Sequence, residues 1–408
     1  MKALVFEHNL PRFAAAMVAG KTRPGSGAKV GPLRLKDVDA PALPGPDWVH
    51  VAPRLAGICG SDLATVDGSS SRYFEPIVSF PFTLGHEVVG DLIDPDNGIT
   101  AADGNHRVVI EPVLGCVTRN ISPVCAPCAV GDLGRCTNIA FGDLKPGLQS
   151  GFCCDTGGGW STLMVAHRSQ LHAVPDDLSD EAAVMVEPTA CAVHAARSID
   201  DVVGPDDHGP FVVLGAGTLG LLVIAALRDH RPDATIVAVA KHATQRKLAR
   251  ELGADTLVDP GEIRRGVRRM TGAMALGDGD IVRLAGGAPV VFDCVGSAAS
   301  IQDSLAVTRP GGRIVLVGMP GTVELDLTGL WHKEVALVGA YAYGTETGGR
   351  RTFDLALDLV RAAKLERLVT TTYPLARFED AIVHASTAGG RGAVKIAFDL
   401  RNEKERRR

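Results

Sequence analysis

The sequence predicts an α/β protein of two domains, one an antiparallel β structure rich in turns and the other a doubly wound parallel sheet. Three observations predict it. Short strand patterns broken by Gly, Pro and Asp fill the chain up to about Glu187. From about Thr189 to Val338, strand-like FVVLG, TIVAVA, VVFDCVG, RIVLVG and VALVG alternate with helical stretches such as QRKLARELGA, which is the pattern of a parallel sheet covered by helices. After Tyr341 the turn-rich pattern resumes. The first domain is accordingly placed at 1–188 and 339–408, with the second inserted at 189–338.

Composition agrees with this division. At 408 residues, with 46% hydrophobic and 22% charged side chains, the chain is long enough for two ordinary globular cores. A net charge of −5 argues against nucleic acid or an anionic membrane as partner, and the basic ending KERRR reads as a solvated tail. No basic-then-apolar leader opens the chain and no run of 18 apolar residues occurs, so neither signal peptide nor membrane span is expected and a cytoplasmic location is. Nine cysteines, an odd number, fit thiols held reduced better than a disulfide framework.

The elements carry chemistry in chain order. MKALVF opens with a strand, and Asn9–Val30, rich in Gly, Ala and basic residues, reads as a loop-like insertion. GICGSD and LGHEVVG then put Cys59 and His86 27 residues apart, each beside glycines that let the backbone turn around an ion. Thiolate and imidazole are ligands that zinc favours, and a catalytic site needs only three protein ligands, leaving the fourth position for water or substrate. Glu187, in VEPTACAVHA, is a candidate for the third. Between these motifs, GCVTRNISPVCAPCAVGDLGRC gathers Cys116, Cys125, Cys128 and Cys136, the last three spaced C-x2-C-x7-C. Four thiolates close a tetrahedral structural zinc, which folds a lobe (about 111–140) that has no core of its own. Asp143–Gly159 is loop-like, and Cys153, Cys154, Cys191 and Cys294 read as packing residues, with Cys153 a candidate to face the cleft.

The strand FVVL runs straight into Gly215, Gly217 and Gly220 and then a long apolar helix. This is a dinucleotide fingerprint: the glycines make the tight turn, admit the pyrophosphate and pack helix on strand, while the helix start at Thr218 and Leu219 offers amide donors. At the end of the next strand, where an acid would select NAD by bonding the ribose hydroxyls, stands Ala240. Lys241, His242 and Arg246 follow, positive or polar groups suited to a 2′-phosphate, so NADP is expected over NAD.

In this order the motifs resemble the zinc-containing branch of the medium-chain dehydrogenase/reductase family, especially its polyol, threonine and glucose dehydrogenases. The resemblance runs from MKALVF through GICGSD, LGHEVVG and the cysteine lobe to VFDCVGS (Val291–Ser297), RPGGRIVLVG (Arg309–Gly318) and YPLARFEDAI (Tyr373–Ile382). It implies a GroES-like catalytic domain joined to a Rossmann domain, an active site in the cleft between them, and hydride transfer between an alcohol carbon and NAD(P). It further implies that Ser61 relays the alcohol proton, that Asp62 orients a ligand, and that Glu87 either coordinates zinc or exchanges with Glu187. Two departures stand out. The relay histidine found in many members is replaced by Ala64, and the lobe has Ser122 where a cysteine is usual, so Cys116 must supply the fourth thiolate across the eight residues that separate it from Cys125. Glu111 in IEPV could reach a substrate hydroxyl.

The expected substrate is an alcohol, polyol, sugar or amino alcohol, since acids near zinc suit hydroxyls and only 5% of residues are aromatic. Ser69–Phe80, Gly151–Trp160 and the Asn9–Val30 insertion are the loops expected to line its pocket, and a homodimer or homotetramer is expected. Two other readings fit the same fold. A zinc-free quinone or enoyl reductase would lack the Cys59 and His86 pair and the lobe, and a non-catalytic NADP-binding protein would have no use for Ser61 beside a zinc triad.

Overall fold

The computed structural model describes residues 1–93, 106–204, 206–277 and 283–403, so the KERRR ending lies outside the described residues. The chain divides into two compact units, Met1–Glu187 with Tyr343–Arg408, and Pro188–Ala342.

The first unit is built on strands whose inward residues are apolar. Trp48–Gly57 lies near the middle of a seven-stranded sheet and pairs antiparallel with Val88–Ile93, Met164–His167 and Lys395–Asp399. Arg107–Ile110 and Leu171–Ala173 extend one side, and Val369–Tyr373 closes the other as the one parallel pairing. A smaller sheet joins Leu33–Asp37, Lys2–Phe6 and Phe82–Thr83. Trp160, fully buried, ties the two together: its carbonyl accepts from the Leu4 N–H of the smaller sheet at 2.9 Å, its indole N–H donates to the Gly57 carbonyl at 3.1 Å, and its ring meets Phe398 edge-on at 5.0 Å. Burial of this much aromatic surface is worth several kcal/mol by transfer bookkeeping, on the order of 25 cal/mol per Å².

The insertion departs from expectation, because Asn9–Val30 is helical rather than loop-like. Leu10–Thr22 and Gly27–Val30 are both α-helices. The Asn9 side chain accepts from the Arg12 N–H, Pro11 sits in the first turn, and Ala14, Ala15, Ala16 and Ala19 supply the strongest helix former. The same alanines leave only a weak apolar face, which is why periodicity missed the helix. Between the two helices, the Asp67 carboxylate accepts from the Gly25 and Gly27 amides at 2.7 and 2.8 Å.

The second unit contains a six-stranded, wholly parallel sheet. Its order is Thr256–Val258, Ile236–Val239, Phe211–Leu214, Ala288–Asp293, Thr308–Leu316, Ala336–Gly339. The sequence runs outward from the central strand in both directions, so the chain reverses beside Phe211–Leu214, where doubly wound sheets bind their ligands. Val212, Val237, Val291 and Ile314 are completely buried in its core, as strands covered on both faces require. Among the described residues no helix is long and apolar enough to cross a membrane.

Candidate functional site

Cys59 lies at the end of the sheet strand Trp48–Gly57 and caps the helix Gly60–Val66. The helix begins there because Asp62, three residues on, returns its carboxylate to the Cys59 amide at 2.9 Å, the reciprocal arrangement of a capping box. The other Asp62 oxygen lies 3.4 Å from Nδ1 of His86, and both residues are buried. A carboxylate beside one ring nitrogen favours the proton on that nitrogen, which leaves the lone pair of the other for an ion. Ser61 is half-buried on the first turn of the same helix, and Ala64 one turn further.

Cys59, His86 and Glu87 converge so that one donor atom from each lies within 4.8 Å of the others. Glu87 is also ion-paired with Lys395, whose Nζ donates to the Ile58 carbonyl at 3.2 Å, and both side chains are at least 98% buried. Burial pulls the pKa of Lys395 down, but Glu87 and Cys59 outweigh it and hold the pKa above the ordinary lysine value. Glu187 stands outside the trio, in the first turn of the helix Val186–Arg197. Burial pushes its carboxyl up to about 7, with His86, Glu87 and Lys395 near enough for their charges to act on it. The Tyr343 hydroxyl donates to its Oε1 at 3.1 Å. Sequence reasoning named neither Lys395 nor Tyr343. No local pattern marks them, since each meets its acid only through the fold. One half-buried thiol, a buried imidazole and a buried carboxylate, beside a cation that balances the acid, form a donor set suited to zinc.

In the lobe, Cys116, Cys125, Cys128 and Cys136 come together with their sulfurs within 4.8 Å of one another. Cys116 therefore reaches the group despite Ser122. Amides converge on the sulfurs: Cys125 N–H donates to Cys116 Sγ at 3.3 Å, and Asn138 gives its side-chain amide to Cys116 at 3.2 Å and its backbone amide to Cys136 at 3.4 Å. Burial and crowding by the neighbouring sulfurs push the Cys128 thiol up, a penalty that a bound dication removes. The fully buried Arg119 fastens the lobe to the loop behind it, donating to the carbonyls of Leu114, Phe141, Leu144 and Gly147.

Two expectations are corrected. Cys153 is completely buried, its sulfur 3.5 Å from the Lys145 carbonyl, and so packs rather than lining a cleft. Oε2 of Glu111 is taken by His172 Nε2 at 2.8 Å and by Arg351, an ion cluster within the first unit, while the buried Oε1 has no hydrogen-bond partner among the described residues. No disulfide joins any of the nine cysteines, all of which lie among the described residues.

In the second unit, Gly215 has φ 92°, Gly217 caps the helix Thr218–His230, and a Cβ at Gly220 would stand 1.7 Å from the Gly215 carbonyl oxygen. A Cβ on Gly217 would meet nothing within 4 Å, so the backbone just before Thr218 and Leu219 is open to close approach among the described residues. Ala240 is buried at the end of the neighbouring strand. Lys241 is exposed, His242 caps the following helix, and Arg246 Nη1 donates to the Ala240 carbonyl at 3.1 Å and to Asp259 at 3.0 Å.

Comparison with known proteins agrees with this geometry. Residues 45–176 match the alcohol dehydrogenase GroES-like domain, and residues 218–362 match the zinc-binding dehydrogenase domain. L-idonate 5-dehydrogenase of Vitis vinifera is 27% identical over 97% of this chain and 96% of its own. Sorbitol dehydrogenase of Arabidopsis thaliana is 27% identical over 91% of this chain and 93% of its own. A zinc-binding dehydrogenase of Sinorhizobium meliloti 1021, solved bound to NADP, shares the fold with a TM-score of 0.67 over 98% of each chain at 24% identity. With both domains matched in order and the relatives spanning nearly the whole chain, the protein belongs to the zinc-containing medium-chain dehydrogenase/reductase family, the alcohol and polyol oxidoreductases that use NAD(P).

Proposed function

We propose that the protein interconverts a polyol or related hydroxylated metabolite and its carbonyl form, with Cys59, His86 and an acid, Glu87 or Glu187, holding the catalytic zinc. The observation that carries this reading is the convergence of Cys59, His86 and Glu87 donors within 4.8 Å, with no fourth donor in the group among the described residues, as an open catalytic site requires. When bound there, zinc supplies a Lewis acid that polarises the substrate oxygen. A nicotinamide dinucleotide held at the Gly215–Gly220 turn would supply the acceptor for the hydride of the carbinol carbon, and Ser61 would take the hydroxyl proton. With Ala64 in place of a relay histidine, that proton leaves through water. The polyol preference is supported by the sorbitol and L-idonate dehydrogenases among the relatives.

The four lobe thiolates are proposed to hold a second, structural zinc. For the cofactor we favour NADP over NAD, with Gly215, Gly217, Thr218, Leu219 and Gly220 receiving the pyrophosphate and Ala240, Lys241, His242 and Arg246 facing the adenosine ribose. A homodimer or homotetramer is supported by the edge strand Ala336–Gly339, which is largely exposed, with Trp331 nearby in sequence 77% exposed. The direct assay offers a panel of polyols, aldonates, simple alcohols and ketones with NADP and with NAD, reading absorbance of the reduced nicotinamide. A polyol turned over faster than any simple alcohol is the expected result, and no turnover with any member of the panel would count against the reading.

A further inference from the structure

We propose that Tyr343 is a positioning residue that decides which acid completes the metal site: by holding Glu187, it leaves Glu87 as the third ligand. The inference rests on the zinc reading above and makes it more specific. Glu87 shares its trio with Cys59 and His86, whereas Glu187 lies outside it with Oε1 receiving the Tyr343 hydroxyl at 3.1 Å. Tyr343 is 1% exposed, and its ring meets Phe353 edge-on at 4.8 Å and 75°, so the hydroxyl is fixed in direction.

The pairing is a product of the chain's path. Glu187 is the residue at which the chain leaves the first unit, and Tyr343 the one at which it returns. Immediately before Tyr343, Ala342 holds φ at 56°, a left-handed conformation that disfavours any residue with a side chain. Such a conformation persists where its surroundings impose it, and here it turns the chain just ahead of the tyrosine that meets Glu187.

Removing the hydroxyl alone, by Tyr343→Phe, keeps the ring in its packing and strips Glu187 of this donor. A buried carboxylate oxygen that loses a donor gains by moving to a cation, and because Lys395 is already paired with Glu87 the bound dication is the stronger attraction, so Glu187 would then turn to the metal. The test uses the full chain with cobalt(II) in place of zinc, reading d–d absorption as a difference against Cys59→Ser so that the lobe cancels. The wild type and Glu187→Gln should give the same difference spectrum. Tyr343→Phe should shift it, and Tyr343→Phe combined with Glu187→Gln should restore it. A Tyr343→Phe spectrum identical to wild type, or a wild-type spectrum altered by Glu187→Gln alone, overturns the role of Tyr343. If the wild type shows no difference from Cys59→Ser, the metal site itself falls, an outcome distinct from a spectrum that is present but insensitive to Tyr343.

Discussion

A methyl group at Gly57 would stand 1.9 Å from Glu87 Oε2 and 2.8 Å from Lys395 Cε, so the buried ion pair depends on a glycine at the end of a strand. That glycine was visible in GICGSD, but its reason was not, because Lys395 lies 308 residues from Glu87 in sequence. The same contrast holds across the site. Cys59, Asp62 and His86 sit in compact motifs whose spacing reflects local turns and a helix cap. Tyr343 and Lys395 act through space and leave no local mark. At the cofactor end, Ala240 and Lys241 were legible as the absence of an acid and the presence of a cation. The structure adds that Arg246 is shared with Asp259, which leaves exposed Lys241 as the cation without an ion pair among the described residues. If these groups select the phosphate, Ala240→Asp with Lys241→Ala reverses the preference. Charge-assisted hydrogen bonds are worth about 1.5–3 kcal/mol, so the ratio of kcat/KM for NADP over NAD should fall by more than about tenfold at fixed salt. A wild-type protein that already prefers NAD would contradict the assignment.

The helical insertion shows where pattern reading stops at the scale of elements. Alanine-rich helices carry propensity without an amphipathic stripe, so a method that follows apolar periodicity passes over Leu10–Thr22. What fixes the insertion is tertiary: Asp67, just beyond the Cys59-capped helix, accepts from the Gly25 and Gly27 amides. Asp67→Ala leaves both amides short of a partner and should destabilise the fold by about 1–3 kcal/mol. Urea unfolding would measure the loss, and limited proteolysis should find new cleavage within 9–30. Unchanged stability together with an unchanged cleavage pattern would mean that the insertion is held by packing alone. The central Rossmann strands Phe211–Leu214 and Ile236–Val239, by contrast, were readable in FVVLG and TIVAVA, because burial on both faces makes each a continuous apolar run, whereas the three-residue edge strand Thr256–Val258 left no such run.

For the whole molecule, both candidate metal groups lie in the first unit and the dinucleotide loop lies in the second, which makes the two functions separable by mutation. Cys59→Ser should remove the catalytic ion and turnover while the Gly215–Gly220 turn still binds nucleotide. Cys128→Ser should instead release the lobe metal and lower stability, since a structural zinc contributes folding free energy. The decisive measurement is zinc per chain by elemental analysis, taken together with turnover, for the wild type, Cys59→Ser and Cys128→Ser. The expected result is about two, one and one atoms respectively, with turnover abolished only in Cys59→Ser per zinc-loaded molecule. A Cys59→Ser protein that keeps both its zinc and its turnover would contradict the assignment of Cys59, His86 and an acid as the catalytic metal site.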